Sequence, residues 1–305
     1  MSDRAFVPNA SLRRLVWAVS LAAVAYILLT EGFSTSFAAF AAQAAPAAQQ
    51  AAPEPRSARF NTIAARFEKG EPSFNGEGWE LLPDMEHNPF RLDDVEAGLN
   101  ALKPAGAARP IRTPVVRIPH EATQDYRHVV KQFLDGGVMG IIVPGVETPE
   151  QALYLVRSMR YPPQRMTKWE LRDPLGFRGW APGSAATLWG WSQNDYAIGA
   201  DLWPLNPDGE LMAIAMIETP TAVANIREIL AVPGLSAILI GQGDLSISMG
   251  VGTPGSNPNH PEVEAAVAEV AKACVEMKKL CGSYQGDIET RLSQGFRLFT
   301  ARRPQ

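Results

Sequence analysis

Short apolar runs alternate with amphipathic stretches along most of the chain. The runs with β-strand character span 79–85, 114–118, 140–143, 211–217, 237–240, 280–284 and 296–300. Between them, segments such as 124–135 and 261–279 repeat apolar residues at helical spacing. Strands that alternate with helices predict an α/β fold with a parallel sheet. Because the repeat is about 25 to 35 residues, the pattern favours a TIM-type (β/α)₈ barrel over an open sheet.

Two of these apolar strands end in an acid. Glu218 follows the run 211–217, and Asp244 follows the run 237–240 after a Gly-Gln-Gly turn. A carboxylate at the edge of a buried strand costs free energy unless something pairs with it. In a parallel barrel both strand ends lie on the C-terminal face, where reactive groups sit. One βα unit separates the two acids, which favours a shared divalent cation over helix capping or pairing with an arginine.

Other strand ends carry further candidate chemistry. Asp84 and His87 lie at the end of the run 79–85, and Arg117 lies within the apolar sequence Val-Val-Arg-Ile. A histidine beside an acid is often structural, but an arginine among valines needs an anionic partner. That partner is a neighbouring carboxylate or a substrate. Together these residues predict a general base, His87, that is oriented by the carboxylate of Asp84. They also predict that Arg117 places a positive charge on the face that carries the two acids.

The N-terminal segment has the pattern of an export signal or a membrane anchor. Arg4, Arg13 and Arg14 precede a predominantly apolar stretch at 15–29, and an Ala/Pro/Gln tract follows. We expect a signal peptide or anchor over 1–44, a linker over 45–58 and the barrel over 59–305. The protein is therefore expected to be exported to the periplasm or secreted, or to be attached to the membrane by this segment.

The amino-acid composition bears on nucleic-acid binding and on the state of the two cysteines. The 28 basic and 32 acidic side chains are nearly balanced and form no basic run, which excludes a nucleic-acid footprint. Cys274 and Cys281 are too few for a disulfide scaffold and lack a metal-ligand spacing. We expect two buried thiols, with pairing in an oxidising compartment as the alternative.

One interval is too long for a single βα unit. The residues between Pro144 and Glu218 include an excess at about 161–207, which is rich in tryptophan, proline and glycine. A long aromatic loop at this position predicts a lid, a subunit contact or a plain structural insertion, and the sequence leaves these alternatives open.

Four motifs, in this order, resemble the HpcH/HpaI aldolase/citrate lyase family of metal-dependent class II aldolases. They are Asp84-Met-Glu-His87, Val115-Val-Arg117-Ile-Pro, Met216-Ile-Glu218-Thr and Ile240-Gly-Gln-Gly-Asp244-Leu-Ser. The resemblance covers about 60–300. It implies a TIM-type barrel, a homo-oligomer and a small 2-oxo acid substrate. The implied reaction is retro-aldol cleavage of a 4-hydroxy-2-oxo acid to pyruvate or a related 2-oxo acid and an aldehyde.

The resemblance also implies the ligands of a metal and of the substrate. Glu218 and Asp244 would bind a divalent cation, Mg²⁺, Mn²⁺ or Co²⁺, with water and substrate completing the oxygen ligands. The backbone N–H groups of Gly243 and Asp244 would hold the substrate carboxylate. Arg117 would stabilise the enolate oxygen.

A general base is implied as well. His87, oriented by Asp84, would take the proton from the 4-hydroxyl group of the substrate.

The chain departs from the family pattern in four places. The first βα unit is reduced, since only 72–78 separates a helix at 60–69 from the strand at Trp79, and no C-terminal helix precedes Gln305. Met216 replaces a glutamine and cannot donate a hydrogen bond. Gln242 stands where a proline usually stiffens the turn before the second acid. These departures keep open a degenerate barrel that binds a carboxylate ligand or a protein partner without turnover.

Overall fold

The computed structural model describes residues 59–162, 173–252 and 254–303, and its strands form one parallel barrel. The strands are β1 (Ser73–Phe74), β2 (Trp79–Leu81), β3 (Thr113–Arg117), β4 (Gly140–Val143), β5 (Met212–Ile217), β6 (Leu235–Ile240), β7 (Leu280–Ser283) and β8 (Leu298–Phe299). Their order across the sheet is β1-β8-β7-β6-β5-β4-β3-β2, with every pair parallel. This is the strand order of a TIM-type barrel, so the predicted fold is confirmed for these residues.

Helices follow most strands and cover the outside of the barrel. They are α1 (Thr62–Glu68), α2 (Leu92–Ala101), α3 (Arg127–Gly136), α4 (Pro149–Met159), α5 (Gly183–Trp189), α6 (Gln193–Gly199), α7 (Pro220–Ala224), α8 (Ile226–Leu230), α9 (Gln242–Ser248), α10 (Pro261–Glu276) and α11 (Ile288–Ser293). Local chemistry sets where they begin. Thr148 and Gln151, for example, form a reciprocal capping box at the start of α4.

The first βα unit is reduced, as the sequence predicts. β1 has two residues, and residues 75–78 lead directly into β2 with no helix between the two strands. An isolated bridge joins Asn75 to Trp79, and the Asn75 side chain accepts a hydrogen bond from the backbone N–H of Leu81 at 3.0 Å. This side chain therefore supplies part of the pairing at the seam between β1 and β2. The described chain after β8, through Arg303, contains no helix.

Helix α1 closes the base of the barrel. Ile63 and Ala64 are fully buried in the same apolar cluster as the inward-facing residues of the strands. The Asn61 side chain caps α1 by accepting from the backbone N–H groups of Ile63 and Ala64. The Glu210 carboxylate accepts from the backbone N–H groups of Phe60 and Asn61, at 3.0 and 2.6 Å. These bonds fix the entry of the chain at the N-terminal ends of the strands.

The described part of the long insertion packs on the side and base of the barrel. The Trp189 indole N–H donates to the carbonyl of Gly137, just before β4, at 2.8 Å. The Tyr196 hydroxyl donates to the carbonyl of Leu134 in α3, also at 2.8 Å. Both contacts lie toward the N-terminal end of β4, whereas the predicted reactive face lies at the C-terminal ends. Helices α5 and α6 therefore pack against the barrel near the N-terminal end of β4, and residues 163–172 of this segment lie outside the described residues.

The two cysteines are disulfide-bonded, so the expectation of two buried thiols is wrong. Cys274 in α10 is joined to Cys281 in β7, with their Cα atoms 6.1 Å apart. Residues 277–279 turn the chain back between the helix and the strand, and Lys278 in that turn has a positive φ of 54°. This hairpin-like return brings the two side chains into bonding range, which the spacing in sequence alone did not indicate.

None of the described helices is both long enough and apolar enough to cross a membrane. The predicted signal or anchor at 1–44 and the predicted linker at 45–58 lie outside the described residues.

Loss of the disulfide should destabilise the barrel modestly. Replacing Cys274 and Cys281 with serine removes a cross-link that closes a short loop, which should lower the free energy of unfolding by about 2 kcal/mol. Chemical denaturation with and without reductant measures this: reductant should destabilise the wild type and leave the double variant unchanged. Equal stability of oxidised and fully reduced wild type would contradict the prediction.

Candidate active site

Three inward-facing side chains lie one step above the apolar core of the barrel, each at the C-terminal end of a strand. Side chains alternate along a strand, so every second residue points inward. In β3, β5 and β7 the inward core positions continue to Arg117, Glu218 and Tyr284 respectively. The same alternation that fills the barrel with apolar residues therefore places these three polar side chains together at the C-terminal opening of the barrel, its mouth.

Arg117 is the central cation of the mouth. It is 3% exposed and is held by two acids. Its Nε donates to Asp84 Oδ1 at 2.8 Å and its Nη2 donates to Asp84 Oδ2, while Nη1 lies 2.7 Å from Glu86 Oε2. Burial works against the charged guanidinium, but these acids outweigh burial and raise the pKa of Arg117. Burial alone would raise the pKa of Asp84, but the bonds from Arg117 hold it below the ordinary value.

The structure pairs His87 differently from the expectation. We expected Asp84 to orient His87, but both Asp84 oxygens accept from Arg117. The side chain of His87 is 59% exposed, and its Nε2 lies 3.9 Å from Glu86 Oε2. Glu86 therefore lies between the histidine and the arginine, and burial raises the pKa of its carboxyl above the ordinary value. Sequence reasoning missed Glu86, although an acid two residues after Asp84 at a strand end is a usable signal.

Glu218 is a buried carboxylate with one oxygen left over. Its Oε2 accepts from the backbone N–H of Gly145 at 3.0 Å, while its Oε1 is buried and has no hydrogen-bond partner within the described ranges. Burial raises the pKa of Glu218 to about 7, and the negative charges of Glu86 and Asp244 act in the same direction. A Cβ at position 241 would lie 2.6 Å from Oε1, so Gly241 is what leaves this oxygen its space.

Asp244 lies on the same face, in the first turn of α9. It is exposed, and its negative charge helps to raise the pKa of Glu218, so the two predicted metal ligands lie within electrostatic range of each other. A buried carboxylate oxygen without a partner, beside a second carboxylate, is the donor set that a hard divalent cation takes. Across 59–162, 173–252 and 254–303, no group of three or more His, Cys, Asp and Glu side chains is arranged to hold a metal. A cation here would therefore take two protein side chains and complete its ligands from water or substrate.

The turn that leads to Asp244 is stiffened by a side chain. Gln242 is fully buried, and its Nε2 donates to Ser283 Oγ at 2.6 Å and to the carbonyl of Gln285 at 2.8 Å. Its Oε1 accepts from the backbone N–H of Gln285 at 3.1 Å. The sequence predicted a less stiff turn because no proline is present, but these three bonds tie it to the end of β7. The N–H groups of Gly243 and Asp244 lie in the first turn of α9, where helices leave N–H groups without an intrahelical partner.

Two further side chains complete the surroundings of Arg117. The Met216 sulfur lies 3.8 Å from Arg117 Nη1 and offers a weak acceptor but no N–H donor. The ring of Tyr284 lies over the guanidinium, with its centroid 5.1 Å from the Arg117 Cζ atom. Sequence reasoning missed Tyr284. Its signal was the period-2 pattern of β7, in which it shares a face with Leu280 and Gly282.

Known proteins resemble this chain over most of the barrel. The family model for HpcH/HpaI aldolase/citrate lyase matches residues 79–283, more than half of the chain. A hydroxypyruvate/pyruvate aldolase from Cupriavidus necator is 36% identical over 208 residues, which are 68% of this chain and 66% of that protein. A 2-dehydro-3,6-dideoxy-6-sulfogluconate aldolase from Pseudomonas putida is 34% identical over 227 residues, 73% of this chain and 76% of that protein. The match to the Cupriavidus protein thus spans slightly less than two thirds of its length.

A solved structure has the same fold. The crystal structure of an HpcH/HpaI aldolase/citrate lyase family protein from Burkholderia cenocepacia superposes with a TM-score of 0.65 at 28% sequence identity. The superposition covers 79% of this chain and 92% of that chain. The four strand-end motifs, the parallel barrel and the family model all agree: the chain belongs to the HpcH/HpaI aldolase/citrate lyase family.

Proposed function

We propose that the barrel is a metal-dependent, aldolase-like carbon–carbon lyase of class II. Its substrate would be a small 4-hydroxy-2-oxo acid, cleaved to pyruvate or a related 2-oxo acid and an aldehyde. The observation that carries this proposal is the buried, unpartnered oxygen of Glu218, which lies on one face with Asp244 and the charged Arg117. The two relatives described above are both named aldolases, which supports the reaction class.

The residues at the mouth fit the separate tasks of this reaction. Glu218 and Asp244 would hold the divalent cation, which supplies Lewis acidity for the negative charge that develops on a substrate oxygen. The N–H groups of Gly243 and Asp244 would bind the substrate carboxylate. Arg117 is held in place by Asp84 and Glu86, so it presents a fixed positive charge to the enolate oxygen at no cost in reorganisation.

His87 is the candidate general base of the reaction. It is exposed at the mouth, so its imidazole can reach a substrate hydroxyl, and it would take the proton from the 4-hydroxyl group as the carbon–carbon bond breaks. Glu86 lies 3.9 Å from its Nε2 and would stabilise the imidazolium that results.

A second candidate function is ligand binding without turnover. Met216 supports it, because a thioether beside Arg117 gives a substrate oxygen no N–H donor. In that case the barrel would bind a carboxylate ligand or a protein partner with the same charged mouth.

We also propose that the barrel works outside the cytoplasm, exported or anchored by the predicted segment at 1–44. The disulfide between Cys274 and Cys281 supports this, since disulfides persist in oxidising compartments and are rare in the cytosol. Thiol labelling of cell fractions tests it. The full-length protein should be found in the periplasm, the medium or the membrane with both cysteines protected from alkylation. Recovery from the cytosol with two free thiols would refute the proposal.

The lyase proposal predicts a chelator-sensitive release of pyruvate. Purified barrel supplied with Mn²⁺ or Mg²⁺ should release pyruvate from at least one member of a 4-hydroxy-2-oxo acid panel, detected with a coupled lactate dehydrogenase assay. A chelator should abolish the activity and the added ion should restore it. Glu218→Ala should lower the rate at least 100-fold because it removes a metal ligand. His87→Gln should lower the maximal rate by about 10²–10⁴-fold because it removes the base.

The controls separate the two candidate functions. Glu289→Gln, an exposed acid in α11, should keep the wild-type rate. Thermal stabilisation by pyruvate with metal, but no cleavage of any panel member by the metal-loaded protein, would select ligand binding without turnover. No stabilisation and no cleavage would sink both.

The buried charge of Glu218 predicts a pH-dependent cost in metal-free protein. The pKa of Glu218 is raised to about 7 by burial, so between about pH 4.5 and 7 the folded state holds a proton that the unfolded state has lost. The free energy of unfolding should therefore fall as pH rises through this window, by up to about 3 kcal/mol. Glu218→Gln, which carries no charge, should be more stable than wild type above pH 7 and similar to it near pH 4.5.

Denaturant titrations of chelated protein at several pH values measure this difference. Added Mn²⁺ should shrink the gap by stabilising only the wild type, whereas Glu289→Gln should show no pH-dependent gap. A gap that is constant from pH 4.5 to 8 would show that the Glu218 carboxylate is not the group responsible.

A further inference from the structure

We infer that Tyr284 is an additional substrate-contacting residue, whose hydroxyl group donates a hydrogen bond to the substrate oxygen that faces Arg117. This inference rests on the proposed function and assigns a second donor to the same oxygen.

The first observation is that most N–H groups of the Arg117 guanidinium already face other side chains. Its Nε and Nη2 donate to the two Asp84 oxygens, and its Nη1 faces Glu86 Oε2 and the Met216 sulfur. A guanidinium has five N–H donors, so few of them stay available to a ligand. Arg117 therefore offers an oxyanion mainly its charge, and a donor from another residue would add to the binding of that oxyanion.

The second observation is that Met216 cannot be that residue. It is buried in β5, two positions before Glu218, and its sulfur lies 3.8 Å from Arg117 Nη1. A thioether has no hydrogen to donate, so the β5 side of the mouth supplies none.

The third observation is the placement of Tyr284. Its side chain packs on the barrel-interior cluster that includes Met216, and its ring covers the guanidinium of Arg117 at 5.1 Å. Within the described residues its hydroxyl makes no hydrogen bond, although the charges of Arg117, Glu86 and Glu218 all act on it. Burial, the largest influence, raises the pKa of the phenol, so the hydroxyl keeps its proton at neutral pH and stays a donor.

The fourth observation is that the β7 end is held rigidly enough to position this donor. The backbone N–H of Tyr284 donates to the carbonyl of Ile240, and its carbonyl accepts from Thr300 Oγ1 at 3.1 Å. The buried Gln242 side chain bonds to Ser283 and Gln285 on both sides of it. Tyr284 is thus fixed between the turn that carries Asp244 and the guanidinium of Arg117.

Binding of oxalate tests the inference without requiring turnover. Oxalate is planar and doubly charged, like the enolate of pyruvate, and its affinity for Mn²⁺-loaded protein can be measured by calorimetry. Tyr284→Phe keeps the ring over Arg117 and removes only the hydroxyl group, so it should weaken oxalate binding about tenfold or more. Exchange of the pyruvate methyl protons in D₂O, followed by NMR, should slow by a similar factor.

A double-mutant cycle separates donation from a structural effect. Met216→Gln places an amide N–H beside Arg117, so in that background Tyr284→Phe should cost less than about threefold in oxalate affinity. Tyr154→Phe removes a hydroxyl on α4 that donates to Asp125 and not to Arg117 or Glu218, and it should leave both readouts unchanged. Unfolding curves of each variant check that it folds.

The outcomes are distinct. If the wild type binds oxalate and exchanges pyruvate protons but Tyr284→Phe does so equally well, Tyr284 is not a donor and only this inference falls. The same holds if the cost of Tyr284→Phe is identical in both backgrounds, since the amide then replaces nothing. If the metal-loaded wild type neither binds oxalate nor exchanges pyruvate protons, the proposed lyase function itself fails, and the role of Tyr284 fails with it.

Discussion

The mouth of the barrel is organised around the charge of one buried arginine. A guanidinium in this position is tolerated only because Asp84 and Glu86 compensate it, and removing one partner of such a buried pair typically costs about 3–5 kcal/mol. Because both acids lie against Arg117, they also set the electrostatic environment of the neighbouring Glu218. Glu86 adds to the negative field at Glu218, which is already buried, and that carboxylate is left with a raised pKa and an oxygen in need of a cation.

The barrel and the positions of its polar residues could be predicted because both follow from periodicity. Parallel strands bring their C-terminal ends to one face, so Arg117, Glu218 and Asp244 had to meet there. The partners of these residues could not be predicted in the same way. Whether Asp84 bonds to His87 or to Arg117 depends on side-chain direction at the end of β2, and distance in sequence favoured the wrong one. The role of Tyr284 depends on contact between β3 and β7, which are far apart along the chain.

The cysteines and the long insertion show the same limit. Cys274 and Cys281 are joined because the chain reverses within three residues after α10, a local conformation that their spacing does not encode. The tryptophan-rich insertion offered three interpretations. The described part packs near the N-terminal end of β4, where the Trp189 indole donates to the carbonyl of Gly137. The composition of the insertion does not encode this contact.

The hydrogen bonds of the Gln242 side chain limit how the residues at the mouth can be substituted. A proline stiffens its own turn by covalent geometry and depends on no neighbour. Gln242 instead stiffens its turn through hydrogen bonds to Ser283 and Gln285, so the turns after β6 and β7 behave as a single unit. Substitutions that retune the β7 turn for a new substrate would also displace Asp244. Adaptation of this protein must therefore proceed through compensated pairs of changes in the two turns, and single changes in either would be penalised.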